Sequence, residues 1–236
     1  MTFRSFGGPT VAFTFGGVSF LTDPTFDDPG DYPIGNRKLT KTAPPTGRPE
    51  PADVVLLSHD QHPDNLDRAG REVALAAPLV LSTPTAASRL GGPVRGLSPW
   101  EVAELASGVR VTAVPAQHGP DGSEHLVGPV TGFVLEAPGE PTVYVSGDNA
   151  SLRVVQEIAG RFPSIAIAVL FGGAARTPLV GDANLTLSGA EMAEAARILG
   201  AETVIPAHVD SWAHFTEGID DVRAAFEKAG LTDRLR

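Results

Sequence analysis

The chain of 236 residues contains no cysteine. This absence excludes disulfide bonds, thiolate metal sites and cysteine nucleophiles, so any metal would have to be held by His, Asp, Glu or Asn. No apolar run approaches the roughly 20 residues that a membrane-spanning helix needs. The first residues also lack the basic stretch, apolar segment and small-residue cleavage site of a secretory leader. We therefore expect a cytoplasmic protein with no membrane partner.

Basic residues are scarce as well. The chain has 18 Lys and Arg against 28 Asp and Glu, and a formal net charge of −10. An acidic surface repels phosphate backbones and anionic membranes, so nucleic acid is not an expected partner and a small molecule is the expected substrate. The length fits one large domain or two small ones. A homo-oligomer is compatible with the sequence, which does not determine the oligomeric state.

Apolar patterns predict strands and helices along much of the chain. Thr10–Phe15 and Val18–Thr22 predict two strands joined by a tight Gly-Gly turn. Ile165–Phe171 is a continuous apolar run, typical of a strand that is covered on both faces. Ser188 and Glu191 form a capping box, which predicts that a helix begins there.

Residues 25–52 are different, because they are rich in Pro, Gly and Asp and show little periodicity. They predict a long loop, and loops of this length are often functional or mobile. Such a loop could form one wall of a substrate cleft. Tyr32, Arg37 and Lys38 are its side chains best suited to reach a ligand.

The most informative stretch is a buried strand that ends abruptly in polar residues. Val54–Leu57 is apolar, and His59, His62 and Asp64 follow it directly. Open α/β sheets place their ligands just past the carboxyl ends of strands. Imidazole and carboxylate are donors that suit a divalent metal such as zinc or manganese.

Three further polar residues follow later predicted strands. They are His118, Asp148 and His208. A lone His in a loop is usually solvated or structural, and Asp148 could instead cap the helix predicted over 151–162. His214 follows in an aromatic segment, where it could donate a proton to a substrate or pack the loop against the core.

The segment Ser58-His-Asp-Gln-His-Pro-Asp-Asn-Leu-Asp67 resembles the His-x-His-x-Asp-His signature of the metallo-β-lactamase superfamily. It is most similar to the branch that contains L-ascorbate-6-phosphate lactonases and N-acylphosphatidylethanolamine phospholipase D-like proteins. The later motifs match in order at His118, at Ser146-Gly-Asp148 and at Pro206-Ala-His208. The resemblance implies an α/β fold, the four-layer αβ/βα sandwich with two mixed β-sheets flanked by helices, in a single domain over 1–236.

The resemblance also implies a metal-dependent hydrolase with one or two divalent ions, zinc first and manganese or iron as alternatives. The implied ligands are His59, His62 and His118 at the first metal, Asp64 and His208 at the second, and Asp148 between them. Asp23 matches the family's supporting Asp, and Asp64 and His214 are the candidate catalytic residues. Such a metal generates hydroxide from water near neutral pH, which would attack an ester, a lactone or a phosphodiester.

The central motif departs from the family pattern at two positions. Gln61 adds one residue between the two His, so that an ungapped alignment would place Asp60 rather than His59 at the first ligand position. We prefer His59, because a His-Asp pair after this strand is typical of the lactonase-like branch. Asn65 stands where the last His is expected. Its neutral amide oxygen predicts a weaker second metal position.

Four other functions compete with a small-molecule hydrolase. A tRNA-processing nuclease of this fold would carry a basic arm, and a flavin-linked diiron oxidoreductase would carry Glu in the central motif and a flavin domain. Neither feature is present. A non-catalytic binding protein with a degenerate metal site would explain Gln61 and Asn65, although it has no need for Asp148 and His208. A purely structural metal is disfavoured, because structural sites are closed and usually rich in Cys.

Overall fold

The computed structural model describes all 236 residues, with fourteen strands and six α-helices. The first half of the chain contains β1 (Phe3–Gly7), β2 (Thr10–Phe15), β3 (Val18–Thr22), β4 (Gly30–Ile34), β5 (Arg37–Lys41), β6 (Val54–Leu56), α1 (Arg68–Ala76), β7 (Leu79–Ser82), α2 (Pro84–Leu90) and β8 (Val94–Gly96). The second half contains β9 (Val102–Glu104), β10 (Arg110–Pro115), α3 (Glu124–Val127), β11 (Thr131–Glu136), β12 (Thr142–Val145), α4 (Leu152–Arg161), β13 (Ile165–Phe171), α5 (Gly189–Leu199), β14 (Thr203–Ala207) and α6 (Ile219–Lys228).

Two six-stranded sheets form the centre of the molecule. The first has the strand order β1-β2-β3-β6-β7-β8 and the second has the order β14-β13-β12-β11-β10-β9. In the first sheet β1, β2 and β3 are antiparallel, whereas β3, β6, β7 and β8 are parallel. In the second, β12, β13 and β14 are parallel and the remaining pairs are antiparallel. Both sheets are therefore mixed, as predicted.

Three apolar clusters separate the layers. Since side chains alternate across a strand, one face of each sheet contributes to a shared cluster of 22 buried residues, which includes Phe13, Phe20 and Phe133. The outer face of the second sheet packs on α4, α5 and α6 through a cluster of 21 buried residues. The outer face of the first sheet packs on α1 through a cluster of ten. This order of layers confirms the αβ/βα sandwich.

The predicted elements agree closely with the observed ones where the local pattern is strong. The strands β2, β3 and β13 have the predicted bounds. The capping box of α5 is formed, and the helix ends at Gly200, whose φ of +68° suits a residue without Cβ. Strand β1 was not anticipated, because most of its side chains are partly or fully exposed. None of the six helices is long and apolar enough to cross a membrane.

The prediction of a long loop over 25–52 is wrong in its middle part. The strands β4 and β5 pair there as a hairpin, with Gly35 at the turn in a conformation of positive φ, +58°. Pro33 and the largely exposed side chains concealed this hairpin in the sequence. The end of the hairpin that is opposite the turn contacts the loop between β14 and α6, where Ala213 N donates to Thr40 O at 3.0 Å.

Candidate metal centre

The ends of four strands bring the predicted ligands to one edge of the sandwich. The loop after β6 carries His59, His62 and Asp64, and the remaining three follow β10, β12 and β14. Two groups form, one of His59, His62 and His118 and one of Asp64, Asp148 and His208. Within each group the ligand atoms lie within 4.8 Å of one another. The first sheet supplies three of these six residues and the second sheet supplies the other three.

In the first group, three imidazole nitrogens face a common point. His62 Nδ1 lies 2.9 Å from His59 Nε2 and 3.3 Å from His118 Nε2. His118 Nδ1 donates to the carbonyl of Leu185 at 3.0 Å, so its Nε2 carries a lone pair. The hydroxyl of Ser58 donates to Asp23, so it accepts from His59 Nδ1, and His59 Nε2 also carries a lone pair. Two inward lone pairs beside a third imidazole form a site for a cation.

Burial keeps His59 and His62 neutral. Burial, with the neighbouring imidazoles, holds the pKa of His59 well below its usual value of 6.5. The same causes lower the pKa of His62 to about 4. Neutral imidazole is the form that binds metal, so both side chains are ready to coordinate at neutral pH.

The second group combines two carboxylates with an imidazole. His208 Nε2 lies 3.2 Å from Asp64 Oδ2 and 3.7 Å from Asp148 Oδ1. The other nitrogen of His208, Nδ1, donates to the carbonyl of Gly172 at 3.3 Å. His214 Nε2 also lies 3.1 Å from Asp64 Oδ2, so that one carboxylate oxygen has two imidazole neighbours.

The polar atoms of the second group fit a divalent cation. Asp64 Oδ1 is buried and accepts no hydrogen bond, and a buried oxygen without a partner is costly unless a cation or water satisfies it. Asn65, which lies beside the group, also has a buried Oδ1 without a partner, and a single bound water would satisfy that oxygen. Burial alone would lower the pKa of His208, but the carboxylates of Asp148 and Asp64 raise it to about 9. Burial likewise opposes ionisation of Asp64, yet His214 and His208 hold its pKa well below 3.8. The two carboxylates therefore favour a positive charge between them where little water enters, and a divalent cation bound there would take the place of the His208 Nε2 proton.

The adjacent residues His59 and Asp60 have opposite environments. His59 is fully buried and belongs to the imidazole group. Both carboxylate oxygens of Asp60 bind the guanidinium of Arg89, one of them to Nε at 2.8 Å. Asp60 is therefore engaged outside the two ligand groups, and the geometry favours His59 as the ligand.

Asp23 and Asp148 both lie beside the centre, and Asp148 does not cap a helix. Asp23 accepts the backbone N–H of Ser58 at 2.6 Å, and burial raises its pKa to about 7. The helix α4 is capped by Ser151, whose hydroxyl accepts from Val154 N at 3.4 Å. Asp148 is therefore free of a capping role.

A cleft of about 370 Å³, measured out to its open mouth, lies over the two groups. Its lining includes five of the predicted site residues, namely His62, Asp64, His118, Asp148 and His214. Arg37 lines it from the β4–β5 hairpin, and its Nη1 donates to Thr177 Oγ1 at 2.6 Å. Arg176 and the apolar side chains of the wall were not anticipated, because nothing in their local sequence marks them.

Comparison with known proteins places this centre in a family. A family model described as a Beta-lactamase superfamily domain matches residues 19–209. The chain belongs to the metallo-β-lactamase superfamily. A UPF0173 metal-dependent hydrolase of Pelotomaculum thermopropionicum is 31% identical over 186 residues, which cover 75% of this chain and 76% of the relative. The family prediction is confirmed, whereas assignment to the lactonase-like branch remains a prediction.

Two solved structures share the fold of this chain. An isothiocyanate hydrolase from Delia radicum gut bacteria superposes with a TM-score of 0.84 at 20% identity, covering 100% of this chain and 95% of that one. A possible metal-dependent hydrolase from Veillonella parvula has the same TM-score at 19% identity and covers 99% and 95%. At such identities the similarity shows the architecture and not the substrate.

Proposed function

We propose that this metal-dependent hydrolase acts on a small substrate in which a negative charge lies close to an ester, lactone or phosphodiester bond. The observation that carries the proposal is the lining of the cleft. Arg37 and Arg176 share it with the two ligand groups, and its only acidic residues are Asp64 and Asp148, which belong to those groups. Guanidinium groups bind carboxylate and phosphate in a fixed geometry, so they would hold the charged part of the substrate.

The two groups would hold one divalent cation each. His59, His62 and His118 would hold the first, and Asp64 and His208 would hold the second, with Asp148 between them. Zinc is the first expectation, and manganese and iron suit the same donors. Bound there, a divalent cation supplies a nucleophile from water near neutral pH and polarises the bond that is cleaved.

The remaining side chains orient the substrate and manage the proton. His214 lines the cleft, its Nε2 is held by Asp64, and its Nδ1 has no partner. Protonated on both nitrogens, this ring could give the Nδ1 proton to the leaving group while Asp64 keeps it in place. Ile34 and Leu39 cover the cleft from the hairpin and keep water from it.

A panel of matched charged and neutral substrates tests the proposal. We expect the metal-loaded protein to accelerate the hydrolysis of bis(p-nitrophenyl) phosphate or of a lactone bearing a carboxylate, each relative to its own uncatalysed rate, more than that of p-nitrophenyl acetate or γ-butyrolactone. Phenethyl isothiocyanate belongs in the panel as a neutral electrophile, because a protein of the same fold hydrolyses isothiocyanates. A clear preference for the neutral compounds would contradict the proposed substrate class.

Arg37→Ala should separate the charged substrates from the neutral ones. Loss of a charge-assisted hydrogen bond costs about 1.5–3 kcal/mol, so kcat/KM for the charged substrates should fall about 10- to 100-fold. The matched control is Lys38→Ala, because Lys38 lies on the same strand but pairs with Asp31 on the exposed side of the hairpin. An equal fall for neutral and charged substrates would argue against charge recognition by Arg37.

The non-catalytic alternative makes a different prediction. A degenerate binding protein would hold no metal after chelation and reloading with zinc, manganese or iron, whereas the proposed hydrolase would hold one or two equivalents. Elemental mass spectrometry of the reloaded protein measures this directly. No metal under any of these conditions would reject the proposed mechanism.

A further inference from the structure

Asn65, which departs from the family pattern, makes two hydrogen bonds that the sequence does not reveal. Its amide Nδ2 donates to Asp23 Oδ2 at 3.1 Å and to Asp148 Oδ1 at 3.0 Å. The side chain is fully buried, and both carboxylates are 1% exposed. Asp23 follows a strand of the first sheet and Asp148 a strand of the second. One amide nitrogen therefore joins the two halves of the sandwich.

These bonds extend a chain of contacts across the centre. Asp23 accepts from the backbone N–H and the hydroxyl of Ser58, and that hydroxyl contacts His59 Nδ1 at 2.9 Å. The contacts thus run from His59 in the imidazole group through Ser58, Asp23 and Asn65 to Asp148 in the carboxylate group. Each contact restrains the next, so the two groups share one hydrogen-bonded support.

The chemistry of this position favours a primary amide over the residues that might replace it. A single NH₂ presents two N–H donors without adding charge, and it meets two carboxyl groups at once. A neutral imidazole has only one N–H, and a third carboxylate would add repulsion between buried like charges. The amide orientation is also determined, because the flipped form would set Oδ1 against both carboxylate oxygens.

We propose that Asn65 is a positioning residue, and not a weakened substitute for the family's imidazole ligand: its amide nitrogen holds Asp23 and Asp148 together and couples the two metal positions. The proposal rests on the proposed function in one respect, namely that both groups bind metal. Asn65 touches neither substrate nor reacting atoms in this role. It acts through Asp148 on the second position and through Asp23 and Ser58 on His59.

Substitutions at this position distinguish a positioning residue from a ligand. If Asn65 were a poor ligand, Asn65→His and Asn65→Asp would supply better donors and tighten the second metal equivalent. If it is a positioning residue, Asn65→His, Asn65→Asp and Asn65→Ala should all weaken the binding of the second metal ion. The expected loss of affinity is about 10- to 100-fold, the usual effect of losing a partner of a metal ligand. Titration with Co²⁺, followed by its visible absorption, measures the two equivalents separately. Tighter binding by Asn65→His would overturn the proposal.

Asn149→Ala is the matched control. Asn149 is also fully buried, and its amide bonds only backbone groups, accepting from Gln117 N at 3.1 Å and donating to Ser151 O at 3.1 Å. It should lose stability without a comparable loss of Co²⁺ affinity. An equal loss of affinity in both variants would mean that any buried amide at this edge matters, and the specific role of Asn65 would be rejected.

A measurement on the unaltered protein keeps the proposal testable if the variants fail to fold. The side-chain NH₂ of Asn65 should exchange its protons as slowly as core backbone amides, with or without metal, because both donors are bonded and buried. Fast exchange would overturn the proposal. Slow exchange in a chain that binds no metal would reject the proposed function and leave the bridging contact standing.

Discussion

Replacement of His59 or of Asp60 by Ala tests which residue is the first ligand. The two are neighbours, so the changes disturb the same loop, yet their surroundings differ. His59 is fully buried with Nε2 2.9 Å from His62 Nδ1. Asp60 binds Arg89 through both oxygens and lies outside the imidazole group. We expect His59→Ala to lose metal and Asp60→Ala to retain it.

The size of each effect follows from these contacts. Zinc sites with four protein ligands bind with about 10–16 kcal/mol, or about 3–4 kcal/mol per ligand, so His59→Ala should raise the first Kd by about two to three orders of magnitude. Asp60→Ala leaves the guanidinium of Arg89 unpaired, but that side chain is 45% exposed and water can solvate it. The expected cost is about 1 kcal/mol of stability, with the metal Kd unchanged.

Competition with a chromogenic chelator gives the Kd of each variant, and urea unfolding gives its stability. The reasoning is refuted if Asp60→Ala loses the metal while His59→Ala keeps the Kd of the unaltered protein. Equal losses in both variants would show that the fold of the loop, and not one ligand, controls binding. Circular dichroism of each variant confirms that the comparison is made between folded proteins.

Three further outcomes follow from burial and backbone geometry. Because burial lowers the pKa of His62 to about 4, the unfolded chain takes up the His62 proton first as pH falls from about 6.5 to 4, and His62 contributes up to about 3 kcal/mol less stability at the lower pH. The raised pKa of Asp23 acts in the opposite direction over the same window, so the test is the difference in urea unfolding free energy between the metal-free protein and His62→Gln. That difference should shrink by up to about 3 kcal/mol as pH falls, and a difference independent of pH would contradict this. Gly147→Ala should lower the Tm sharply and weaken metal binding. Gly147 has a φ of +57°, and a Cβ there would lie 2.5 Å from the carbonyl oxygen of Thr131. An unchanged Tm would refute the steric argument. Lys41→Met leaves the buried carboxylate of Asp67 without its ion-pair partner. The free energy of unfolding, measured with urea, should therefore fall by about 3–5 kcal/mol. A fall of less than about 1 kcal/mol would contradict a stabilising ion pair.

The sequence by itself determined several strands and helices and the order of the candidate ligands, and its resemblance to a known superfamily implied the architecture. Runs such as Ile165–Phe171 predicted strands because burial on both faces requires apolar residues at every position. The capping box at Ser188 located α5 because its bonds are local. His118 and His208 stood out because both follow predicted strand ends and match the motifs of the superfamily in order. These signals lie within a few residues of one another, so they can be read along the chain.

Only the tertiary structure decided what surrounds those ligands. Arg37 meets Thr177 across the cleft at 2.6 Å, and the amide of Asn65 meets Asp148 at 3.0 Å, although each pair is far apart in the chain. The face-to-face packing of the two large sheets creates the second contact and the placement of the β4–β5 hairpin creates the first, and no local periodicity encodes either of them. A residue such as Asn65 therefore reads as a lost ligand in the sequence. In the fold it is a buried donor between two carboxylates, because distant strands place both of them within reach of one nitrogen.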